Sequence, residues 1–264
     1  MSFFKDKVIW ITGASSGIGE GLALELAKHG ARLIISARRE EELKRVAALT
    51  KLPELDLMIL PFDLKDTSNA SGLTANIINK FGHIDMLVNN GGMSQRAEME
   101  KTSIEIDREL MEVNYFSAVN LTRAVLPYMK RQKSGHIIVI SSVAGKFGFY
   151  LRSGYSAAKH ALHGFFDSFR LETEKDGIKT LIVCPGKIKT NISLNAVTDK
   201  GAHGKMDPSH ENAMSSEECA RIILKAIQNN EEEILVGGKE LLAVKIKRFF
   251  PKWFGRIIRK QSPF

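Results

Sequence analysis

Cysteine is scarce in this chain. Only Cys184 and Cys219 occur among 264 residues. Two such residues supply no disulfide framework, no cysteine metal cage and no CxxC redox pair, so no metal is expected and a reducing compartment fits. Cys184 lies inside an apolar run and reads as a buried free thiol. Long apolar stretches are missing as well. No run approaches the roughly 18 residues that would span a bilayer, and the opening MSFFKDK has no apolar h-region of a signal peptide. The expectation is a cytoplasmic protein, touching a membrane at most from its surface. A broad field of one sign is also absent from most of the chain. The net charge is +8, but residues 239–264 hold eight basic side chains against one acidic, which leaves about +1 for everything before them. A near-neutral body is no platform for nucleic acid. There is no linker, and no internal repeat beyond an alternation of strands and helices.

What remains is an ordinary globular composition, 44% hydrophobic and 26% charged, long enough for one large α/β domain. Short apolar runs at residues 7–12, 32–37, 55–61, 84–88, 137–140, 180–183 and 233–236 read as buried strands. Helical patterns at 20–29, 40–49, 67–81, 103–130, 155–171 and 217–228 lie between them. The predicted fold is a doubly wound, parallel, Rossmann-like sheet in a single domain, residues 1–238, followed by a basic tail, 239–264. Residues 191–216 lack periodicity, and a long irregular segment in a compact domain reads as a lid.

The first predicted strand runs directly into Thr12-Gly13-Ala14-Ser15-Ser16-Gly17-Ile18-Gly19 and then into a helix. Strand, glycine-rich turn and helix open a dinucleotide-binding unit: glycines admit a pyrophosphate and the helix N-terminus offers free amides. Near the end of the second strand, where an NAD site places a carboxylate, this chain has Arg38 and Arg39. Guanidinium groups there suit a 2′-phosphate, so NADP (NADPH) is expected over NAD. Arg39 taken alone equally well opens the next helix. Asp63 either accepts a bond from an adenine amino group or caps the following helix. After the fourth strand come Asn89, Asn90, Gly91 and Gly92; small residues there allow close approach to a ribose, and the amides alternatively tie loops together. Asn114 sits in an otherwise apolar helical stretch, where it needs a backbone carbonyl or a water as partner.

Tyr155 and Lys159 are four apart, on one helical face, and Ser142 follows the fifth strand. A hydroxyl facing such a pair suits proton transfer at a carbonyl or alcohol oxygen. An unperturbed tyrosine titrates near about pH 10, and a neighbouring ammonium pulls it toward neutrality. His160 and His163 read as packing or surface residues. Phe147, Phe149 and Tyr150 predict an apolar pocket for a bulky lipophilic substrate.

Taken together, TGASSGIG, NNGG, Asn114, the serine pair ending in Ser142, YSAAK at Tyr155 and PGKIKT at Pro185 resemble the short-chain dehydrogenase/reductase family, in its compact single-domain branch, over residues 7–236. The resemblance implies that Tyr155 is the acid/base and that Lys159 lowers its pKa and bonds the nicotinamide ribose. It implies that Ser142 holds the substrate oxygen and Asn114 orients a relay water. For the cofactor it implies contacts from Gly13, Ser15, Ser16, Gly17, Ile18 and Gly19, from Asp63 and Leu64 to the adenine, from Asn90 and Gly91 to a ribose, and from Pro185, Gly186, Ile188 and Thr190 around the carboxamide. A homodimer or homotetramer is expected. The text around Tyr155 looks most like the membrane-associated reductases of steroids, retinoids and other lipophilic carbonyls. Gly92 stands where the family usually has alanine, with little expected effect. Two other readings are an epimerase or dehydratase of the extended branch, disfavoured by the glycine spacing, and an idle NADP-binding sensor or scaffold, disfavoured by the presence of Ser142, Tyr155, Lys159 and Asn114.

The tail reads as two short helices, 241–250 and 251–260. Trp253, Phe254, Ile257 and Ile258 are expected on one face of the second, opposite Lys252, Arg256, Arg259 and Lys260. Such a helix either lies on anionic lipid or packs on its own body or a partner subunit.

Overall fold

A computed structural model describes residues 2–198 and 213–260. Seven strands form one wholly parallel sheet, in the order β3-β2-β1-β4-β5-β6-β7. They are β1 (Val8–Thr12), β2 (Arg32–Ser36), β3 (Leu57–Ile59), β4 (Met86–Asn89), β5 (Gly135–Ile140), β6 (Ile178–Pro185) and β7 (Glu233–Val236). Helices α1 (Gly17–Lys28), α2 (Glu40–Thr50), α3 (Ala70–Phe81), α4 (Ile104–Met111), α5 (Ser117–Gln132), α6 (Ser153–Thr173) and α7 (Ser216–Gln228) connect them. The order reverses at β1, so β1 and β4 open a crevice at their carboxyl ends.

Alternation along each strand divides the core into two layers. Ile9 and Ile11 of β1 join the cluster with Leu22 and Leu26 of α1, Leu43 of α2 and Ile223 of α7. Val8 and Trp10 face the other way, with Ile77 of α3, Val125 of α5 and Phe166 of α6. Trp10 is fully buried, and its indole N–H donates to Ser36 Oγ at 2.8 Å. Because both faces are covered, the strand runs are continuously apolar, as the sequence shows.

Three departures from the sequence reading have physical causes. The third strand is only three residues long, because Pro53 and a 3₁₀ turn at Glu54–Asp56 precede it and leave Leu55 exposed. The helix expected over 103–130 is broken by a π turn at Glu112–Phe116, which separates α4 from α5. Its widened turn contains Asn114, and single π turns often mark functional positions. Residues 191–198 run as turns, with Val197 bridging Gln95; residues 199–212 of the expected lid lie outside the described residues.

The tail forms α8 (Leu242–Phe249) and α9 (Pro251–Lys260). Phe254 of α9 is buried against the body, with its ring edge-on to Phe147 at 4.9 Å. Trp253 does not share that face and is 55% exposed. The two residues are adjacent in sequence and so point about 100° apart around the helix. Among the described residues no helix is long and apolar enough to cross a membrane.

Candidate active site

The strand ends enclose a cleft of about 1100 Å³. At its head, the Thr12 hydroxyl accepts from the amides of Asn90 and Gly91, both at 3.0 Å, and donates to the Val88 carbonyl at 3.2 Å. The Asn90 side-chain amide donates to the Thr12 and Gly13 carbonyls at 2.8 and 3.1 Å. Asn90 is thus a tie between loops, and it also lines the cleft. Asn89 ties elsewhere, donating to Thr122 Oγ1 at 3.1 Å.

The glycine turn is built for close approach. Gly13 and Gly17 have φ of +63° and +60°, which only glycine adopts without strain. A Cβ on Gly13 would lie 2.6 Å from Gly91 Cα. Ser16 is the N-cap of α1 but makes no side-chain capping bond, so the first-turn amides keep their capacity for an anion. These features fit a dinucleotide pyrophosphate. Gly19 serves differently: it is not on the cleft wall, and a Cβ there would lie 2.4 Å from the Gly13 carbonyl oxygen.

Ser15, Ser16, Ile18, Arg38, Arg39, Asp63, Leu64 and Gly91 line the same end of the cleft. The Arg38 side chain is 67% exposed, with its guanidinium 4.0 Å from Asp63. Asp63 caps no helix; its carboxylate accepts from the Lys65 amide at 3.0 Å in a local turn, seven residues before α3 begins at Ala70. Arg39 is the N-cap of α2 through its backbone. Arg45 carries no local sequence signal; its guanidinium donates to the Ser15 carbonyl at 3.1 Å and pairs with Glu20 at 2.8 Å, fastening the glycine turn to α2.

At the other end, Ser142, Tyr155 and Lys159 share the wall with Pro185, Gly186, Ile188 and Thr190. Ser142 follows β5 and caps a 3₁₀ turn, accepting from the Ala144 amide at 3.1 Å. Tyr155 and Ser142 line the same wall, and the Ser142 hydroxyl donates to the Pro185 carbonyl at 3.5 Å. Tyr155 is 5% exposed and Lys159 4% exposed. Burial pushes the Tyr155 phenol above its usual pKa, while the Ser142 hydroxyl and the Arg152 charge draw it back. Burial likewise lowers Lys159 to about 8. The Lys159 ammonium donates to the Ile140 carbonyl at 2.8 Å and lies 5.9 Å from the Tyr155 ring centre. The sequence reading made Lys159 the group that acidifies Tyr155. In this structure Ser142 and Arg152 act in that direction and burial outweighs them.

The remaining expected residue, Asn114, stands behind the wall. Its Oδ1 accepts from the Met93 amide and its Nδ2 donates to the Met93 carbonyl, each at 3.0 Å. A Cβ on Gly92 would fall 2.6 Å from Asn114 Oδ1. Alanine at position 92 would require that amide to shift. Phe147 does not line the cleft; it is 2% exposed and backs Phe149, with ring centres 4.7 Å apart. Phe149, Tyr150, Met93, Leu151, Ile192 and Val197 form the apolar wall.

Three supports have no local sequence signal. Arg152, the N-cap of α6, makes no side-chain capping bond. Instead the fully buried Gln95 accepts from the Gly154 and Tyr155 amides at 2.9 and 3.4 Å, a cap supplied from about sixty residues away. Ser141 Oγ donates to the Lys159 carbonyl at 3.3 Å and meets His163 Nε2 at 3.1 Å. His163 is thus more than a packing residue: its Nδ1 lies 3.2 Å from Lys146 and 3.5 Å from Glu233, which are themselves paired. His163, Cys184 and Glu233 lie close enough to share a cation, but Lys146 already joins His163 and Glu233, and burial holds the Cys184 thiol protonated, at about 12. Finally, Glu240 of the tail accepts from the Lys187 amide at 2.8 Å and the Gly238 amide at 3.0 Å and lines the cleft.

Two outcomes follow. Gln95→Ala leaves two first-turn amides of α6 without their acceptor, a loss of about 1–3 kcal/mol in denaturant unfolding; it also lowers turnover more than cofactor affinity, in steady-state kinetics beside cofactor titration. The bonds from His163 and Lys146 hold Glu233 at about 2, against an ordinary 4.5. Its contribution to stability is full above pH 4.5 and is lost as pH falls toward 2. Glu233→Gln should flatten that acid limb in thermal unfolding and leave the neutral branch lower.

Comparison with known proteins agrees with this geometry. The family model of the short chain dehydrogenases matches residues 7–201. The human protein named dehydrogenase/reductase SDR family member 7 is 40% identical over 266 residues, covering 97% of this chain and 78% of that protein. A family protein 7-like from Anopheles gambiae is 45% identical over 236 residues, covering 87% and 74%. The mouse family member 7B is 36% identical, covering 99% and 83%. Among solved structures, a short-chain dehydrogenase from Streptomyces avermitilis superposes with a TM-score of 0.78 at 27% identity, covering 98% of this chain and all of that one. A Burkholderia phymatum structure in complex with NAD shares the fold, with a TM-score of 0.85 at 21% identity and 96% coverage of each chain. With its parallel sheet, glycine turn and Ser–Tyr–Lys cleft, this chain belongs to the short-chain dehydrogenase/reductase family of oxidoreductases.

Proposed function

We propose that the chain is an NADP-dependent oxidoreductase that interconverts a carbonyl with a secondary or primary alcohol on a lipophilic substrate. One observation carries the reading: Ser142, Tyr155 and Lys159 share the wall of a cleft whose far end is the glycine turn. When bound, the nicotinamide supplies hydride exchange with a carbonyl carbon. The chain's own contribution is protonic. Ser142 holds the substrate oxygen through its hydroxyl. Tyr155 gives its phenolic proton to that oxygen in reduction and takes it back in oxidation. Lys159, with its pKa near 8, remains charged at neutral pH and opposes the negative charge left on the phenol. The apolar wall excludes water and favours a hydrocarbon-rich carbonyl compound.

Arg38 and Arg39 support the choice of NADP. Both reach the cleft beyond β2, and no carboxylate ends that strand. The association into dimers or tetramers implied by the family finds support in Phe116, at the end of the π turn, and Leu171 of α6, which are 45% and 76% exposed. The alternative, an idle NADP-binding scaffold, would leave Tyr155 without consequence for turnover.

Tyr155→Phe tests the reaction. NADPH should bind as in the parent protein while turnover of a carbonyl panel falls by about 10²–10⁴-fold, the usual worth of a positioned acid; unchanged turnover would remove the assignment. Arg38→Asp tests the cofactor. Its NADPH KM should rise on the order of tenfold, with a smaller rise or a fall for NADH. Equal effects on both would refute the 2′-phosphate contact.

A further inference from the structure

The turn between α8 and α9 presents a feature that the active site does not use. Phe249, Phe250 and Trp253 are 69%, 61% and 55% exposed. Phe250 and Trp253 touch edge to face at 6.4 Å, so these two rings form one patch, and Phe249 precedes them at the end of α8. Backbone bonds run through the turn, from the Phe250 amide to Ile246 at 2.8 Å and from the Phe254 amide to Phe250 at 2.9 Å. The one ring of the group that turns inward, Phe254, is locked against Phe147. That contact fixes the rotation of α9 and holds Trp253 outward.

Charge surrounds the patch. Lys245, Lys247, Arg248, Lys252, Arg256, Arg259 and Lys260 have no ion-pair partner among the described residues, while the body before residue 239 is close to neutral. An isolated cationic face suits any polyanion. Three exposed aromatic rings at its centre do not suit one, because a phosphate backbone leaves them in water. A bilayer with anionic headgroups meets both demands: tryptophan and phenylalanine enter the boundary between headgroups and acyl chains, and the flanking lysines and arginines stay at the phosphate level.

We propose that the α8–α9 turn docks this protein on an anionic lipid surface, with Phe249, Phe250 and Trp253 as the inserting side chains. The surface lies outside the cleft, and nothing in it rests on the reaction proposed above. It is linked to the cleft by two ring contacts, Phe254 to Phe147 and Phe147 to Phe149.

The chain carries its own probe. Of its two tryptophans, Trp10 is fully buried and bonded to Ser36, so a change of emission on adding vesicles reports Trp253. The full chain is titrated with phosphatidylcholine vesicles with and without phosphatidylserine, and sedimented with them. Expected are a blue shift, quenching by brominated acyl chains, and binding on the order of tenfold stronger with phosphatidylserine, weakened by salt. Phe249→Ser with Phe250→Ser should lower binding on the order of tenfold while keeping the parent Tm. Lys252→Glu with Arg256→Glu, an independent pair that leaves the rings intact, should abolish the phosphatidylserine preference. Three results overturn the proposal: emission that ignores both kinds of vesicle; a lipid-free dimer, seen by sedimentation velocity, in which Trp253 is already shifted; or binding of duplex DNA in preference to vesicles, undiminished by the serine pair.

Discussion

The Thr12 hydroxyl joins the two strand ends between which the cleft opens. A parallel sheet leaves the carboxyl ends of its strands with unpaired amides and carbonyls, and these have to be met by something other than the ladder. At β1 and β4 one hydroxyl accepts two amides and donates to a carbonyl. The Asn90 amide crosses the same gap to Thr12 and Gly13. The crevice is therefore closed at its root without a bulky side chain, and backbone faces the ligand space. Glycine at 13 and 91 is the corollary, since their backbones pass at contact distance.

Burial governs the chemistry at the other end. Tyr155 and Lys159 lie on one face of α6, as their spacing requires, yet both are almost wholly removed from water. Desolvation acts oppositely on the two: it disfavours a phenolate and it disfavours an ammonium. In the proposed reaction each group then costs less to leave in its neutral form than it would in solvent. The Ser142 hydroxyl and the Arg152 charge offset this only in part at the phenol, and the Ile140 carbonyl accepts a bond from the ammonium.

Features carried by a few neighbouring residues were legible in the sequence. The glycine turn, the continuous strands and the Tyr155–Lys159 pair are set by spacing within one or two elements, and strand, turn and helix patterns report such spacing directly. The supports were not legible, because each is a bond between distant segments. Gln95 caps a helix about sixty residues further on, Glu240 braces the Lys187 loop, and His163 meets Ser141 across the sheet edge. Nothing around Gln95 distinguishes it from a surface amide. The π turn was hidden for another reason: a single widened turn leaves the apolar pattern of the long helix almost unchanged. Grouping Trp253 with Phe254 failed because a helical wheel places two adjacent large residues together, whereas one firm contact, Phe254 on Phe147, sorts them apart.

Glu240 blurs the line between body and tail. Its carboxylate stands where a Cβ on Gly186 would fall, 2.3 Å away, and it satisfies two backbone amides on the rim of the cleft. Shortening the chain to shed its basic end is a common route to a better-behaved protein. Here a cut placed ahead of Glu240 would take a brick out of the nucleotide pocket, whereas a cut between Leu241 and Leu242 would keep that carboxylate and instead uncover Phe147, the ring behind Phe149.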